Sequence, residues 1–256
     1  MKKIKYLKNP GFSLIWILFI WIVLFEFILP SNNFLPKPSI VLLSLSALEG
    51  VYHFWINFSI SISELYFSLI ITYLITKILC ENFSWFHFAF NIAGSIHKLF
   101  NYLPVIIFGI FLILWFPNSN YTGFVFIFLI SLVSMLMKAK VGSLKINKEY
   151  FEASISMGAG QKMISKNVIW KFVQPILLDF MSEIHIYLWI SLLMFEFING
   201  SFGLGAIFKT ALQFKDLSAL FSISIITGLL IFIGFKIIKY IRNKFIHWSN
   251  IWANQI

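Results

Sequence analysis

Charged residues, cysteines and the common motifs for nucleotide or metal binding are scarce or absent in this sequence of 256 residues. Only 12% of the residues are charged and 59% are hydrophobic, whereas soluble domains are close to half apolar and a quarter charged. This composition excludes an ordinary soluble domain. It predicts an integral membrane protein whose spanning helices themselves form the domain.

The chain contains few of the side chains that metal sites and catalytic centres use. Cys80 is its only cysteine, which excludes a disulfide framework and a cysteine-based metal site. No two histidines lie three or four residues apart, so the HExxH metal pattern is missing; the histidines are His53, His87, His97, His185 and His247. No Ser-His-Asp arrangement has a recognisable spacing. We therefore expect no metal, no cofactor and no catalytic activity.

The nucleotide-binding pattern G-x-x-x-x-G-K-[ST] is also missing, so any ATPase that serves this protein must be another polypeptide. The net charge is +10, and a basic excess can indicate nucleic-acid binding. Here, however, the lysines lie in clusters beside apolar runs, which is the pattern of cytosolic loops in membrane proteins. We expect no contact with nucleic acid.

Apolar stretches predict about six transmembrane helices, since a helix needs about 20 residues to cross the hydrocarbon. The predicted spans are 12–29, 58–79, a third within 82–116, then 121–137, 176–197 and 219–238. Residues 82–116 leave two interpretations open, one kinked span or an interfacial helix followed by a short span. Outside the spans, the sequence predicts an extended passage at 34–40, a short helix at 41–48 and an outer loop at 200–216.

The distribution of lysines predicts the orientation. With the N-terminus inside, the outer loops hold three of the twenty basic residues, namely Lys37, Lys209 and Lys215. The others lie on the cytosolic side or near its interface, where membrane proteins carry their excess of lysine and arginine. Both termini and residues 138–171 are therefore expected to face the cytosol.

The longest polar passage is the segment 149–175, between two predicted spans. Residues 149–157 contain good helix formers and no proline, and Gly158 and Gly160 should end that helix. Residues 161–174 suit a second short helix, after which Pro175 would open the next span. The pattern predicts a helix-turn-helix in the cytosol or, as the simpler alternative, an ordinary amphipathic loop on the membrane surface.

The motif Glu152-Ala153-Ser154, followed after three residues by Gly158, resembles the EAA-x-x-x-G loop of bacterial ATP-binding-cassette (ABC) importer permeases. Further landmarks are similar, in the same order, to the nitrate, sulfonate and taurine uptake permeases of that family. They are FLPKPSIVL (34–42), LPVIIFGIFLILWF (103–116), Pro175, and Glu196 with the glycine loop that contains Gly203 and Gly205. The resemblance covers residues 34–245.

Three positions depart from that family's pattern. Ser154 replaces an alanine, a small-for-small change that should be tolerated. Lys171 stands where a first proline is usual. Residues 61–69, SISELYFSL, lack the arginine and glycines that are common at the start of this span. This last departure affects helix packing and substrate chemistry more than coupling to an ATPase.

The resemblance implies an all-α, polytopic membrane protein with the type I ABC importer permease fold. It implies one transmembrane permease domain, 1–256, which divides into an N-terminal span with an outer segment (1–57) and a core (58–245) that carries a cytosolic coupling-helix loop (149–175). Gly158 would permit the sharp turn of this loop, and Glu152 would hold its geometry or pair with a basic group on an ATPase. The residues implied in coupling are Glu152, Ala153, Ser154, Gly158, Gly160, Lys162 and Pro175.

The resemblance also implies partners and a location. The chain would be a non-catalytic permease subunit in the cytoplasmic (inner) membrane of a bacterium. It would work with two cytosolic ABC ATPase subunits, a second permease copy in a homodimer and an extracytoplasmic substrate-binding protein. The substrate would be a small nitrate-, sulfonate- or taurine-like solute or a related nutrient.

An ionised carboxylate in hydrocarbon is costly and marks a functional site by default; the candidates here are Glu26, Glu64, Asp179, Glu183 and Glu196. Asp179 and Glu183 lie near the inner start of a span, where they favour the helix N-terminus. The candidates for a translocation path or gate are Glu196, with Gly203 and Gly205, and then Glu64. Because an anion path lined by carboxylates would be unusual, we expect gate contacts rather than substrate contacts. In the alternative function, a stand-alone secondary transporter or channel, these glutamates would couple protons or cations.

Overall fold

The protein is a bundle of helices, and the computed structural model describes residues 10–29, 35–117, 119 and 121–246. The helices are α1 Pro10–Ile22, continued by a π-helical turn at Val23–Ile28, α2 Pro38–Tyr52, α3 Phe54–Glu81, α4 Phe83–Tyr102, α5 Val105–Trp115, α6 Thr122–Ser143, α7 Lys148–Ser156, α8 Gln161–Ile164, a π-helical turn at Ser165–Ile169, α9 Trp170–Asn199, α10 Leu204–Gln213 and α11 Leu217–Phe245. The described residues contain no strand, which confirms the all-α fold. The lysines of residues 1–8, Phe34 and His247 lie outside the described residues.

Four helices are long and apolar enough to cross a membrane. They are α3, α6, α11 and the continuous helix Gln161–Asn199, named the central helix below, which joins α8, the second π-helical turn and α9. Shorter apolar helices are Trp16–Ile28, Pro38–Tyr52 and Val105–Trp115. Long spanning helices accompanied by shorter apolar ones confirm the polytopic membrane protein that the sequence predicts.

Contacts between α3 and α6 show that these two helices run in the same direction. The Ser68 hydroxyl donates to the Phe124 carbonyl oxygen at 3.1 Å. Further along both helices, the Thr72 and Ser131 hydroxyl oxygens are 2.8 Å apart. The chain must therefore return between α3 and α6, and it does so through α4 and α5.

The helices α4 and α5 form one broken passage along α6. Gly94 of α4 lies beside Met137, near the end of α6, and Gly109 of α5 lies beside Phe126, near its beginning. The break falls at Pro104, because proline lacks an amide hydrogen and holds the preceding residue in an extended conformation; that residue has φ −110° and ψ 124°. Of the two interpretations open for residues 82–116, the structure favours one kinked passage.

The central helix lies in the middle of the bundle and runs opposite to α3, α6 and α11. Phe195 near its end stacks on Phe126 near the start of α6, with ring centroids 4.7 Å apart. Asp179 pairs with Arg242 near the end of α11 at 2.8 Å. Short helices lie at the two ends of the bundle, which are named the α7 end and the α10 end after them.

The expectation that Pro175 opens a span is wrong, because it lies buried inside α9. The predicted second short helix, 161–174, therefore continues into the span without a break. A proline inside a helix removes one backbone hydrogen bond, but membrane helices tolerate this because neighbouring groups satisfy the freed carbonyl. It also follows that Asp179 and Glu183 lie in the helix interior rather than at a helix N-terminus, and Asp179 has Arg242 as its partner.

Several predicted boundaries also change. The predicted loop 200–216 contains a helix, α10. The helix α2 is longer than the predicted 41–48, because Pro38 takes its first position, where a proline is well tolerated. The helix α11 continues to Phe245, so its last turns carry the basic residues that follow the predicted span.

Candidate functional site

The helix α7 projects from the α7 end of the bundle with most of its surface exposed. It begins after Asn147, whose side chain accepts a hydrogen bond from the Glu149 N–H at 3.4 Å. Glu152 and Ala153 are exposed and Ser154 is half-buried. Phe151 reaches the interior, where it packs against the cluster around Trp170. The helix is thus attached to the bundle on this side, while most of its other side chains are exposed.

A glycine turn ends α7. Gly158 has φ +78°, which glycine adopts without steric cost. Its N–H donates to the Ile155 carbonyl at 2.9 Å, and the Ala159 N–H donates to the Ser154 carbonyl at 3.0 Å. These two bonds form a Schellman motif, which satisfies carbonyls that a helix C-terminus otherwise leaves unpaired. A sharp, well-defined turn therefore lies at Gly158, where the sequence predicts one.

Gly160, the second glycine of this loop, has a different structural role. Gly160 has φ −72° and ψ 162° and precedes the first turn of the central helix, and its carbonyl accepts from the Met163 and Ile164 N–H groups at 2.9 and 3.1 Å. Other residues can adopt this conformation, so only Gly158 requires glycine on conformational grounds. Lys162 follows it on the exposed side of α8. The structure brings Lys162 and both glycines together with α7 but places Pro175 deep in the bundle, apart from them.

Apolar side chains on this loop face outward although they flank charged residues. Met157 is 79% exposed, Ile155 is 62% exposed and Met163 is 57% exposed. Methionine is adaptable and is frequent at binding surfaces, and grouped exposed apolar side chains indicate an interaction site. The loop therefore has the character of a docking surface.

At the α10 end, the side chain of Glu196 is buried and fully engaged. It is 3% exposed, and its carboxylate accepts hydrogen bonds from the Ser61 hydroxyl at 2.5 Å and from the Gly205 N–H at 2.7 Å. The Ser61 oxygen accepts from the Leu204 N–H at 2.8 Å, and Asn57 accepts from the Gly203 N–H at 2.8 Å. Together these groups form the Glu196 cluster, which satisfies the amide groups at the N-terminus of α10.

Two glycines make room for this cluster. Gly203 has φ +94°, and a side chain there would overlap the Glu196 carboxylate. At Gly205 a side chain would overlap the backbone of the central helix at Leu193. Because α10 can approach the central helix only where these side chains are missing, the glycine loop positions α10 rather than serving as a flexible connection.

Glu64 occupies a similar position at the start of α6. Its side chain is 9% exposed, and a side chain at Gly123 would overlap its carboxyl group. Glu64 and Glu196 lie near each other. The four candidates for a path or gate, Glu64, Glu196, Gly203 and Gly205, thus gather at the α10 end, where the two carboxyl groups lie against helix N-termini.

The comparison with known families decides the class of the protein. Residues 78–247 match the family described as binding-protein-dependent transport system inner membrane component, the permeases of ABC importers. The match covers 170 of the 256 residues and contains α7, Gly158 and the Glu196–Gly205 region. The chain belongs to this family. No curated protein matches it.

The permease is therefore the transmembrane subunit of an ABC importer, a multi-pass protein of the inner membrane. Importers of this family work with ABC ATPases and a substrate-binding protein, and the permease is their non-catalytic membrane subunit. The matched segment begins within α3, so the landmark at 34–42 and Glu64 lie outside it.

Sequence reasoning missed the residues of α3 that hold the Glu196 cluster. The spacing of polar residues could have predicted Asn57 and Ser61. Polar side chains recur along α3 at intervals of three or four residues, so they share one helix face. These residues are Asn57, Ser61, Glu64, Ser68, Thr72 and Thr76. Most of this face is buried against α6 and the central helix, where small polar residues bind membrane helices together.

A second polar cluster, which the sequence did not indicate, lies in the middle of the permease. His185 is fully buried. Its Nε2 atom accepts from the Trp189 Nε1–H at 3.0 Å and lies 3.0 Å from the Tyr66 hydroxyl. Gly234 of α11 leaves room for both the His185 ring and the Tyr66 hydroxyl. This cluster joins α3, the central helix and α11.

Proposed function

We propose that the permease receives force from a cytosolic ABC ATPase through the loop formed by α7 and the glycine turn. The observation that carries this proposal is the set of exposed apolar side chains, Ile155, Met157 and Met163, on a turn that is closed by backbone hydrogen bonds at Gly158 and Ala159. These apolar side chains are left uncovered by the described part of the chain. Glu152, also exposed, would pair with a basic group of the ATPase.

The central helix supplies the mechanical link. It begins after Gly160, beside the docking loop, and ends at Gly200, beside the Glu196 cluster. With 39 residues, it is about 58 Å long at 1.5 Å per residue. Closure of two ATPases would bring two such loops together, and each central helix would carry that movement to the α10 end. The Glu196 cluster and Glu64 would then belong to the gate that opens and closes there.

The lysine distribution supports the orientation in this proposal. Among the described residues, most basic side chains lie in the elements at the α7 end, whereas Lys209 lies in α10 and Lys215 follows it directly. Lys37 directly precedes α2. By the preference of basic residues for the cytosolic side, α7 and both termini face the cytosol. A homodimer of this permease with two ATPases and an extracytoplasmic binding protein completes the assembly. For the substrate, the resemblance at 34–42 and 103–116 favours a small nitrate-, sulfonate- or taurine-like solute or a related nutrient.

The alternative of a stand-alone secondary transporter has no comparable support. Of its coupling residues, Glu196 has both carboxyl oxygens engaged, by the Ser61 hydroxyl and the Gly205 N–H, which gives it a structural role. Solute uptake at full rate into vesicles that contain the permease alone, without ATP, would restore this alternative.

The test is co-purification. The permease is co-expressed with ABC ATPases of the same organism and purified in detergent, and the retained ATPase is measured. Gly158→Pro should abolish retention, because proline cannot adopt φ +78° and removes the N–H that bonds Ile155. Gly160→Ala is the matched control, since its φ of −72° suits alanine, and it should retain the ATPase. Full retention by Gly158→Pro would overturn the proposal.

A further inference from the structure

A pocket of 400 Å³ opens between α3 and α6 at the α10 end of the bundle. Its lining combines one carboxyl group, three hydroxyls, three aromatic rings and one aliphatic side chain, from Glu64, Ser59, Ser63, Tyr121, Phe67, Phe124 and Ile60. In contrast, the pockets that lie beside α10 and beside α5 are lined by apolar side chains alone. Lipid tails offer no partner for a carboxyl group. We therefore expect the ligand of this polar pocket to be a molecule other than lipid.

The carboxyl group in this pocket is held in place by the start of α6. Glu64 is 9% exposed and lies against the first turn of α6, where the missing side chain of Gly123 gives it room. The pocket wall therefore presents one buried carboxyl group at a fixed position.

Among the residues that the structure describes, no basic side chain pairs with the Glu64 carboxyl group. The ion pair among these residues, Arg242 with Asp179, lies toward the other end of the bundle. Glu196, which lies near Glu64, is itself a carboxyl group. A second feature also suits a cation: Tyr121 is 76% exposed and Phe67 is 64% exposed, so both rings can offer a face to a positive group.

We propose that this pocket binds a small organic ammonium ion, with Glu64 as its counter-ion and the rings of Phe67 and Tyr121 against its cationic group. The inference rests on the proposed function, in which Glu64 belongs to the gate at the α10 end, and it narrows the substrate to a solute that bears an amine. Taurine-like zwitterions meet this condition, whereas nitrate does not. Glu64 would then contact substrate rather than serve only in a gate.

The experiment uses the full-length permease in lipid nanodiscs and three probes of similar shape but different charge. They are benzylammonium, benzyl alcohol and benzoate, and binding is measured by the quenching of intrinsic fluorescence and by the shift in the thermal unfolding midpoint. Benzylammonium should bind and raise the midpoint, and the other two should not. Glu64→Gln should weaken benzylammonium binding by about tenfold or more, because the counter-ion is lost.

A second pair of variants keeps the proposal open to test even if Glu64→Gln folds poorly. Tyr121→Leu should weaken benzylammonium binding by about threefold, because the ring face is lost, whereas Tyr121→Phe should leave it unchanged. Glu183→Gln, which removes an exposed carboxylate elsewhere, should also leave it unchanged.

Absence of benzylammonium binding, equal binding of benzoate, or unchanged binding in both Glu64→Gln and Tyr121→Leu would overturn the proposal. ATPase co-purification is measured on the same preparations. Normal co-purification without ammonium binding would remove this inference alone, whereas its loss in the wild-type permease would remove the proposed function.

Discussion

The two glycine turns at the ends of the central helix satisfy their polar groups in opposite ways. At the α7 end, the turn at Gly158 is closed by its own backbone, and its side chains point outward. At the α10 end, the turn at Gly203 is held by the side chains of Glu196, Ser61 and Asn57 from two other helices. The first turn therefore keeps its shape without help from the bundle, and the second depends on the bundle.

This difference shows which surface is available to a partner. A side chain that the fold itself uses, as Glu196 is used, is costly to remove and has little left to offer another molecule. A side chain that the fold leaves exposed, as Met157 is left, can be removed without cost to the fold. Substitutions at the α10 end of the central helix should therefore lower stability, whereas substitutions at its α7 end should weaken partner binding.

The largest effect on stability is expected for Glu196→Ala. This change leaves the Gly205 N–H without its acceptor and the Ser61 hydroxyl without the group to which it donates, and it opens a cavity. We expect a loss of about 3 kcal/mol in the free energy of unfolding, measured as a lower thermal unfolding midpoint of the purified permease. Glu152→Ala, at an exposed glutamate of α7, should change the free energy by less than about 0.5 kcal/mol. Equal midpoints for the two variants would contradict the comparison.

A smaller loss is expected for Gly203→Ala. The added methyl group would overlap the Glu196 carboxylate, and alanine would be strained at φ +94°. The expected loss is about 2 kcal/mol, from backbone strain together with the displaced carboxylate. Gly228→Ala is the matched control, because a side chain at Gly228 meets open space. If the control lost as much stability, a general effect of glycine replacement would explain both results.

Four of the six predicted spans coincide with long spanning helices, and the glycine turn lies where the sequence predicts it, because both features have local causes. Apolar length determines α3 and α6, and the change from helix formers to glycine determines the turn at Gly158. Periodicity would also have shown the polar face of α3. These features follow from residues that are neighbours along the chain.

The residues that contact the polar face of α3, by contrast, are determined by how the helices pack. That Ser61 would contact Glu196, or that Glu64 would lie against Gly123, depends on the direction of α3 relative to α6 and the central helix, which no local pattern gives. The helix start expected at Pro175 is wrong for a related reason: proline is a reliable helix boundary in water, but in a membrane bundle the neighbouring helices permit it inside a helix.

The docking surface should affect partner binding without affecting stability. The double change Ile155→Ser with Met157→Ser removes exposed apolar area from the loop and should reduce ATPase retention by about tenfold, equivalent to about 1.4 kcal/mol. The unfolding midpoint should stay at the wild-type value. Leu144→Ser is the control, since Leu144 is 77% exposed and lies outside α7. Equal loss of the ATPase in the control would show that the surface is not specific to the loop.

The smallest effect is expected at the ion pair between Asp179 and Arg242, which tests whether every carboxylate of the central helix behaves like Glu196. The pair is close, at 2.8 Å, but its side chains are 52% and 21% exposed, respectively. Exposed pairs contribute about 0.2–1 kcal/mol and weaken in salt. Asp179→Asn should therefore lower the free energy of unfolding by about 0.5 kcal/mol, and the loss should shrink further at high ionic strength. A loss as large as that of Glu196→Ala would mean that burial at the α10 end does not explain why Glu196 contributes more to stability than Asp179.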